Sequence, residues 1–328
     1  MILVTGGTGF IGTHLLERLA AKGEAVRALV RPNGAAHRFP RALPPCVETV
    51  YGDLARGTGL AEALQGVDSV IHLAGAGKAL RSEDFYTANV RATEQLAHAM
   101  AGRGMRLVHV SSLAAIGPAS GAPLAEDADA HPLTHYGKSK LEAERVVREL
   151  APDAVIVRPP VVYGPRDTDV FQLLKSISRG LVLEIAGGER WFSAIYVKDL
   201  VEGLLAAAAT PCAAGRTYFL THAIALSWRQ LGDSAARIMG RTARRAPRVV
   251  TVPLSLATAV GACAEIVARL TRKPGIISRE KIAEARCAAW TCDGGLAARE
   301  LGFVAPTSLD EGLAATLAWY KEAGWLTY

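Results

Sequence analysis

Cysteine is scarce in this sequence of 328 residues, and the five cysteines lie far apart along the chain. They form no CxxC pair, and no Cys/His cluster has the spacing of metal ligands, so the sequence predicts neither a disulfide framework nor a metal site. We therefore expect reduced cysteines that serve as packing residues. The five are Cys46, Cys212, Cys263, Cys287 and Cys292.

Long hydrophobic runs are also missing. No apolar run reaches the ~18 residues that a membrane-spanning helix requires. The nearest is the segment 253–270, "PLSLATAVGACAEIVARL", which contains Glu265 and Arg269. We expect an amphipathic helix packed on the protein, and a helix lying on a membrane surface is the alternative. Because the apolar run at 2–4 is too short for a secretory signal, the expected location is cytoplasmic, with peripheral membrane association left open.

Positive charge is only modestly in excess of negative charge in this sequence. The net charge is +6, and its densest run is "RTARRAPR" at 241–248. Such a run is typical of a solvated surface, and no nucleic-acid-binding motif surrounds it, so no nucleic acid partner is predicted. With 50% hydrophobic and 21% charged residues, the composition is that of an ordinary globular protein. The length predicts one large domain with a smaller lobe.

Glycine is concentrated near the start, in "ILVTGGTGFIG" at 2–12. Gly6, Gly9 and Gly12 follow a short apolar strand and precede a helical pattern. In a G-x-x-G-x-x-G loop at this position, glycines permit a tight turn and let backbone N–H groups approach a pyrophosphate at the positive end of the helix. We predict that this loop, including Phe10 and Ile11, binds a dinucleotide.

Apolar strands then alternate with helical patterns up to about residue 160. The strand candidates are 26–30, 47–51, 69–75, 106–112 and 154–158, with helices near 83–100 and 136–150. This alternation predicts an α/β fold with a doubly wound parallel (Rossmann) sheet over 1–160. We expect 161–328 to form mainly a smaller substrate-binding lobe, with some segments returning to the sheet. Ser308 and Glu311 have the spacing of a capping box, which predicts the start of the last helix.

The residue after the second strand bears on the choice of cofactor. An acidic residue there binds the ribose 2'-hydroxyl of NAD, but this sequence has Arg31, in "RALVRPNG". A guanidinium suits a 2'-phosphate, so NADP(H) is favoured and NAD(H) is the alternative. Arg38 is a candidate second contact. The alternative for both arginines is simple solvent exposure.

A candidate catalytic set lies in "YGKSK" and at the end of the fifth strand. Tyr136 and Lys140 are four residues apart on a predicted helix, so their side chains share one face. A tyrosine loses its proton near pH ~10, and we expect the nearby ammonium and a cationic nicotinamide to lower that pKa. Ser112 is placed to hydrogen-bond the substrate oxygen.

These motifs together resemble the extended short-chain dehydrogenase/reductase family, also called the NAD-dependent epimerase/dehydratase family. The matching stretches cover nearly the whole chain and include "VTGGTGFIG", "GDL", "HLAG", "YTANVRATEQL", "VSSLAAIG", "YGKSK", "RPPVVYGP" and "YVKDLVEG". The resemblance implies that Ser112, Tyr136 and Lys140 form the catalytic triad, with Lys140 also binding the nicotinamide ribose. It implies further cofactor contacts near the adenine and along the dinucleotide, at Asp53, Leu54, Leu73, Ala74, Gly75 and Pro159.

Two departures from the family pattern bear on the substrate. Members that act on nucleotide sugars usually carry Asn and Arg at the positions of Val161 and Phe192, where the two side chains bind a diphosphate. Apolar side chains there make a nucleotide sugar a poorer substrate, since charge-assisted bonds are lost. Trp191, Phe192 and Tyr163 are instead candidates for an aromatic substrate pocket, the alternative being core packing. "VRALVR" and the tail "WTCDGGLAARELGF" resemble the branch that holds 3β-hydroxysteroid dehydrogenases and dihydroflavonol reductases.

The favoured interpretation is therefore an NADP(H)-dependent oxidoreductase that interconverts a ketone and a secondary alcohol on a small, mostly apolar, sterol-, flavonoid- or lipid-like substrate. A nucleotide-sugar epimerase or dehydratase with bound NAD is the first alternative, and a non-catalytic NADP(H)-sensing regulator is the second. The resemblance also implies a homodimer as one candidate assembly, paired through helices that include the one bearing Tyr136.

Overall fold

The computed structural model describes residues 1–32, 43–185, 188–240, 248–272, 275 and 278–328. Its strands are β1 (Ile2–Thr5), β2 (Val26–Val30), β3 (Glu48–Tyr51), β4 (Ser69–His72), β5 (Arg106–Val110), β6 (Val155–Val157), β7 (Val161–Tyr163), β8 (Leu181–Ile185), β9 (Trp191–Phe192), β10 (Ala194–Tyr196), β11 (Thr217–Tyr218), β12 (Leu226–Ser227), β13 (Arg248–Val252) and β14 (Ala289–Trp290).

The α-helices of the described residues follow in the same chain order. They are α1 (Phe10–Ala21), α2 (Leu60–Ala63), α3 (Ser82–Tyr86), α4 (Ala92–Met100), α5 (His135–Leu150), α6 (Val170–Ser178), α7 (Val197–Ala209), α8 (Trp228–Ile238), α9 (Leu254–Thr271), α10 (Arg279–Ala285), α11 (Gly295–Leu301) and α12 (Leu309–Glu322). A π-helical turn at Thr87–Arg91 joins α3 to α4.

Seven strands form one sheet in the order β11-β6-β5-β4-β1-β2-β3. Every neighbouring pair is parallel. The order turns back at β1, which lies between β4 and β2, and in such sheets ligands bind at the carboxyl ends of the strands beside this switch point. The predicted doubly wound parallel sheet is therefore confirmed.

Hydrophobic layers cover both faces of the sheet, as expected where parallel strands are buried on both sides. On one face, Leu15 and Leu19 of α1 and Leu204 of α7 belong to one buried cluster. On the other, Leu96 of α4 and Val147 of α5 belong to a second. Since α1 and α5 are both fixed against the sheet, the loops that precede them are held at its carboxyl edge.

The later part of the chain adds smaller elements and one strand of the large sheet. β11 pairs with β6, and three further sheets of two or three strands lie outside. The predicted capping box is confirmed, because Ser308 and Glu311 cap α12 reciprocally. The lobe boundary near residue 160 and the homodimer stay predictions.

The helix α9 differs from the expected packed helix. Only Ala257 and Gly261 are buried along its 18 residues, so the predicted packing on the protein is wrong for most of its apolar side chains. Among the described residues it is the one helix long and apolar enough to cross a membrane by length and composition. The run 241–248 lies outside the described residues except for Arg248, which is exposed.

All five cysteines are free thiols. Only Cys292 is buried, whereas Cys46, Cys212 and Cys263 are exposed and Cys287 is half-buried. The predicted packing role therefore holds for Cys292 and is wrong for the three exposed thiols.

Candidate active site

The glycine loop lies between β1 and α1 and leaves no room for a side chain at Gly6 or Gly12. Gly6 has a φ of 72°, and a Cβ there would lie 2.6 Å from the backbone nitrogen of Ala74. A Cβ on Gly12 would lie 2.2 Å from the carbonyl oxygen of Gly6. Gly9 caps α1 without a side-chain hydrogen bond, and the first turn holds no acidic residue. The positive end of α1 is therefore left to an anionic ligand, as a dinucleotide loop requires.

A cleft of about 340 Å³ opens above this loop, and we call it the cofactor cleft. It is lined by eleven of the residues that the sequence predicted, together with residues that it did not. The predicted ones are Gly6, Gly9, Phe10, Ile11, Gly12, Leu73, Gly75, Ser112, Tyr136, Lys140 and Pro159. The structure thus brings the glycine loop and the candidate catalytic residues into one cleft.

The four remaining predicted cofactor residues, Arg31, Asp53, Leu54 and Ala74, lie outside the lining of this cleft. Arg31 directly follows β2 at the same edge of the sheet and is exposed. Asp53 follows β3, and its Oδ1 accepts a hydrogen bond of 2.9 Å from the backbone of Ala55. Arg38 lies outside the described residues.

The candidate catalytic residues come from two elements. Ser112 follows β5, where its hydroxyl caps a short 3-10 turn by accepting from the backbone of Ala114 at 3.2 Å. Tyr136 and Lys140 lie one turn apart on α5, and the Tyr136 phenol lines the same cleft as the Ser112 hydroxyl. Lys140 Nζ donates to the carbonyl oxygen of Val110 at 2.7 Å. A hydroxyl pair and an ammonium therefore face the cleft together.

Burial dominates the electrostatics of this trio. Burial raises the pKa of Tyr136, and the Ser112 hydroxyl and the ammonium of Lys281 oppose that shift. Burial also lowers the pKa of Lys140 to about 8. The expected lowering of the tyrosine pKa is therefore wrong for the protein alone. Lys140 is directed at the Val110 carbonyl, and the cation beside the phenol is Lys281, whose Nζ lies 5.9 Å from the ring centroid.

The start of α5 is held in place by partners that the sequence did not indicate. Thr134 accepts from the backbone of Gly137 at 3.1 Å and donates to Glu284 of α10 at 3.1 Å. Asn89 donates to Ser139 at 2.8 Å and accepts from the backbone of Ala76 at 2.7 Å. Asn89 lies inside "YTANVRATEQL", which was the available signal, whereas no pattern pointed to Glu284.

A second cavity, of about 1150 Å³, adjoins the first, and we call it the outer cavity. Gly77 and Tyr136 line both, so the phenol lies where the two meet. The outer cavity is bounded by 77–85, by 133–136 and by parts of α9 and α10. Its lining mixes apolar and charged side chains, among them Leu80, Phe85, Leu133, Arg81, Asp84, Glu265, Arg269, Glu280 and Lys281.

The aromatic residues predicted to contact substrate lie elsewhere. Tyr163 and Phe192 are buried in a hydrophobic cluster, and Phe192 stacks on Trp228 with ring centroids 4.2 Å apart. Trp191 is partly exposed, at 40%, and none of the three lines either cavity in the described part of the chain. Core packing, the alternative interpretation, therefore describes Tyr163 and Phe192, because β7 and β9 carry them into the lobe interior.

The family model described as NAD dependent epimerase/dehydratase family matches residues 2–220. This chain belongs to that family. It is 32% identical to the ceramide reductase of Caulobacter vibrioides, over 99% of this chain and 96% of the relative. It is 30% identical to an Escherichia coli O157:H7 enzyme named N-acetyl-alpha-D-glucosaminyl-diphospho-ditrans,octacis-undecaprenol 4-epimerase, over 96% and 94%.

Two further comparisons bear on the predicted branch and fold. The chain is 29% identical to the 3-beta-hydroxysteroid dehydrogenase of Mycolicibacterium neoaurum, over 67% of this chain and 64% of the relative. The solved structure of a dTDP-glucose 4,6-dehydratase from Streptomyces venezuelae with NAD bound has a TM-score of 0.79 and 25% identity, over 99% of this chain and 98% of that one. The predicted family, its hydroxysteroid dehydrogenase-like relatives and an enzyme rather than a regulator are thereby confirmed.

Proposed function

We propose that this protein is a nicotinamide-dependent ketoreductase that interconverts a ketone and a secondary alcohol on a lipid-like substrate. The observation that carries the proposal is the position of one phenol. Tyr136 lies where the glycine-lined cleft meets the outer cavity, in the same cleft lining as Ser112 and one turn from Lys140. A proton donor between a dinucleotide site and a second cavity is the arrangement that carbonyl reduction needs.

The glycine cradle fits a dinucleotide, because Gly6 and Gly12 leave only backbone at the positive end of α1. A nicotinamide dinucleotide bound there supplies or accepts the hydride. Arg31, exposed beyond β2, supports NADP(H) through a bidentate contact to a 2'-phosphate. NAD(H), which the Streptomyces dehydratase binds, is the alternative.

The protein's own residues handle the proton and the oxygen. As the ketone carbon is reduced, its oxygen gains negative charge and takes the proton from Tyr136 Oη, while Ser112 donates a hydrogen bond to the same oxygen. Because burial raises the pKa of Tyr136, the phenol stays protonated at neutral pH, which is the form that donates. In the oxidising direction Tyr136 accepts that proton, and Lys140, held near the cleft, offers an ammonium to the cofactor ribose.

The substrate class is supported by two kinds of observation. At the positions where nucleotide-sugar enzymes bind a diphosphate, this chain has half-buried Val161 and buried Phe192, neither of which pairs with an anion. The Caulobacter relative is named for a ceramide and the Mycolicibacterium relative for a steroid, and ceramides and steroids are largely apolar molecules. The charged residues of the outer cavity then suit the polar head of a lipid rather than its chain.

The decisive variant is Tyr136→Phe, which removes the proton donor and leaves the ring. We expect turnover of a long-chain ketone to fall by about 10²–10⁴-fold, the usual contribution of a general acid. Cofactor affinity, measured by NADPH fluorescence, should stay within about twofold, since the ring still fills the cleft wall.

Tyr86→Phe is the matched control, because that phenol lies near His135 at 3.4 Å and has no contact with Ser112 among the described residues. It should keep near-normal turnover. Near-normal turnover in Tyr136→Phe itself would overturn the proposed mechanism.

An epimerase is the second candidate function, favoured by the Escherichia coli relative, whose name describes a 4-epimerase of a polyprenyl-linked sugar. In an epimerase the hydride is returned within one cycle. Such an enzyme would retain NAD through purification and give product without net change in nicotinamide absorbance. Stoichiometric loss of NADPH absorbance with a ketone substrate would instead support the reductase.

A further inference from the structure

The outer face of α9 is apolar and uncovered by the described part of the chain. Leu256, Val260, Cys263, Val267 and Leu270 follow one another at intervals of four and three residues, so they lie along one side of the helix. The four aliphatic members are 55%, 47%, 56% and 79% exposed. A row of exposed aliphatic side chains about 21 Å long costs free energy in water and is typical of a docking surface.

The charged residues on this helix and in the strand before it that have no ion-pair partner among the described residues are basic. The only acidic residue of α9, Glu265, is turned toward α10, where it accepts from Arg279 Nε at 3.0 Å. Arg269 and Arg272 at the end of the helix form no ion pair among the described residues, and neither does Arg248 in the strand that runs into it. The exposed helix therefore carries uncompensated positive charge, complementary to an anionic partner.

The attachments of α9 exclude a membrane-spanning orientation. β13, which ends one residue before the helix cap, pairs with β8 over five residues, and α10, which follows α9 in the chain, packs against its middle around Gly261 and Glu265. Since the strand before the helix and the α10 helix after it are both held by the folded body, where Glu284 and Glu280 of α10 accept from Thr134 and the backbone of His135, the helix lies along the protein surface. An apolar row with basic residues at its end then matches a helix that lies in a membrane interface.

We propose that α9 docks this protein on the surface of an anionic lipid bilayer. The apolar row enters the boundary between headgroups and acyl chains, and the arginines contact lipid phosphates. Residues 265, 268 and 269 of the same helix line the outer cavity, so docking brings the wall of that cavity to the bilayer. A lipid ketone then reaches Tyr136 from the membrane, an extension that rests on the proposed function.

The test is flotation of the full chain with vesicles of phosphatidylcholine alone or mixed with phosphatidylglycerol. We expect flotation with the anionic vesicles and release at high salt. The double variant Val260→Glu, Val267→Glu should weaken the partition coefficient about tenfold or more, because charged carboxylates replace apolar contacts in the interface. Arg248→Gln with Arg272→Gln should reduce the preference for anionic vesicles and leave the circular dichroism melt unchanged.

Ile224→Glu is the matched control, since Ile224 is an exposed aliphatic residue (63%) outside α9. It should float like the wild type. Equal flotation of the Val260→Glu, Val267→Glu variant would overturn the proposal. So would a finding, by light scattering without lipid, that this face joins two copies and that wild-type protein does not bind vesicles.

Reduction of a short, water-soluble ketone without vesicles separates this proposal from the proposed function. Wild type and the Val260→Glu, Val267→Glu variant should reduce it at equal rates, because neither residue lines a cavity. Flotation of a wild-type protein that reduces no ketone would support docking and overturn the ketoreductase.

Discussion

The two sides of the candidate site are built from different parts of the chain. In the cofactor cleft the decisive surfaces are backbone, because a Cβ added at Gly6 or Gly12 would lie less than 3 Å from other backbone atoms. The outer cavity is bounded by long side chains, such as Arg81, and by helices with exposed faces. The cofactor cleft is therefore suited to a ligand of one shape. Side chains of the outer cavity can be substituted without disturbing the fold, so a different ligand can be accommodated there.

The largest effect should come from adding one methyl group to the glycine loop of the cofactor cleft. In Gly12→Ala the Cβ would lie 2.2 Å from the Gly6 carbonyl oxygen and 2.7 Å from the Gly7 Cα, and backbone atoms cannot rotate away. We expect the free energy of unfolding to fall by about 1–3 kcal/mol, as in other overpacked sites, and NADPH binding to be lost. Urea denaturation and fluorescence titration measure the two effects.

Gly77→Ala is its control on the boundary between the two cavities. No heavy atom lies within 4 Å of the Cβ that this substitution adds, and Gly77 has no positive φ. Stability should stay within about 0.5 kcal/mol, and NADPH should still bind. If Gly12→Ala binds NADPH as tightly as Gly77→Ala does, our inference that backbone atoms around Gly12 leave no room for a side chain is wrong.

The same difference explains how far the sequence could predict this molecule. The sheet, the glycine loop and the placement of Tyr136, Lys140 and Ser112 follow from local patterns, because strand ends and helix faces bring those residues together. Lys281 and Glu284 come from α10, about 145 residues later in the chain, and no local spacing connects them with Tyr136. Phe192 was expected in a pocket because aromatic composition does not distinguish a cavity wall from a core.

A smaller effect should follow a change of charge beyond β2, where we propose that the adenosine ribose of the cofactor binds. Arg31 is exposed beyond β2, so Arg31→Asp should leave the fold intact. We expect NADPH affinity to fall by about ten- to 150-fold, corresponding to about 1.5–3 kcal/mol for a lost charge-assisted bond, while NADH affinity holds or rises. Parallel fluorescence titrations with the two cofactors give the ratio.

Arg103→Asp makes the same change of charge in an exposed turn before β5, at the other edge of the sheet. It should alter the two affinities equally and weakly, through net charge alone. An unchanged NADPH to NADH ratio in Arg31→Asp would show that Arg31 is merely exposed, and NADP(H) preference would then lose its support.

The smallest effect concerns the pKa of Tyr136, which shares the lining of the outer cavity with Lys281. The Lys281 ammonium lowers the pKa of Tyr136, and Glu284, which accepts from Lys281 at 2.7 Å, raises it. In Lys281→Gln the cation is gone and the Glu284 carboxylate is unbalanced, so the pKa of Tyr136 should rise. Alcohol oxidation needs the phenolate, so its rate profile should shift to higher pH, and the fall of ketone reduction at alkaline pH should shift the same way.

Lys138→Gln is the control for this shift. Lys138 is exposed on α5, two residues from Tyr136, and its substitution removes the same positive charge. Its pH profiles should match those of the wild type at moderate salt, since an exposed charge is screened. If the pH profile of Lys281→Gln stays in place or moves to lower pH, Lys281 does not lower the pKa of Tyr136, and groups in the cofactor cleft alone set that pKa. A shift that occurs in Lys281→Gln and not in Lys138→Gln would show that a residue of the outer cavity helps to set the pKa of Tyr136, the proton donor.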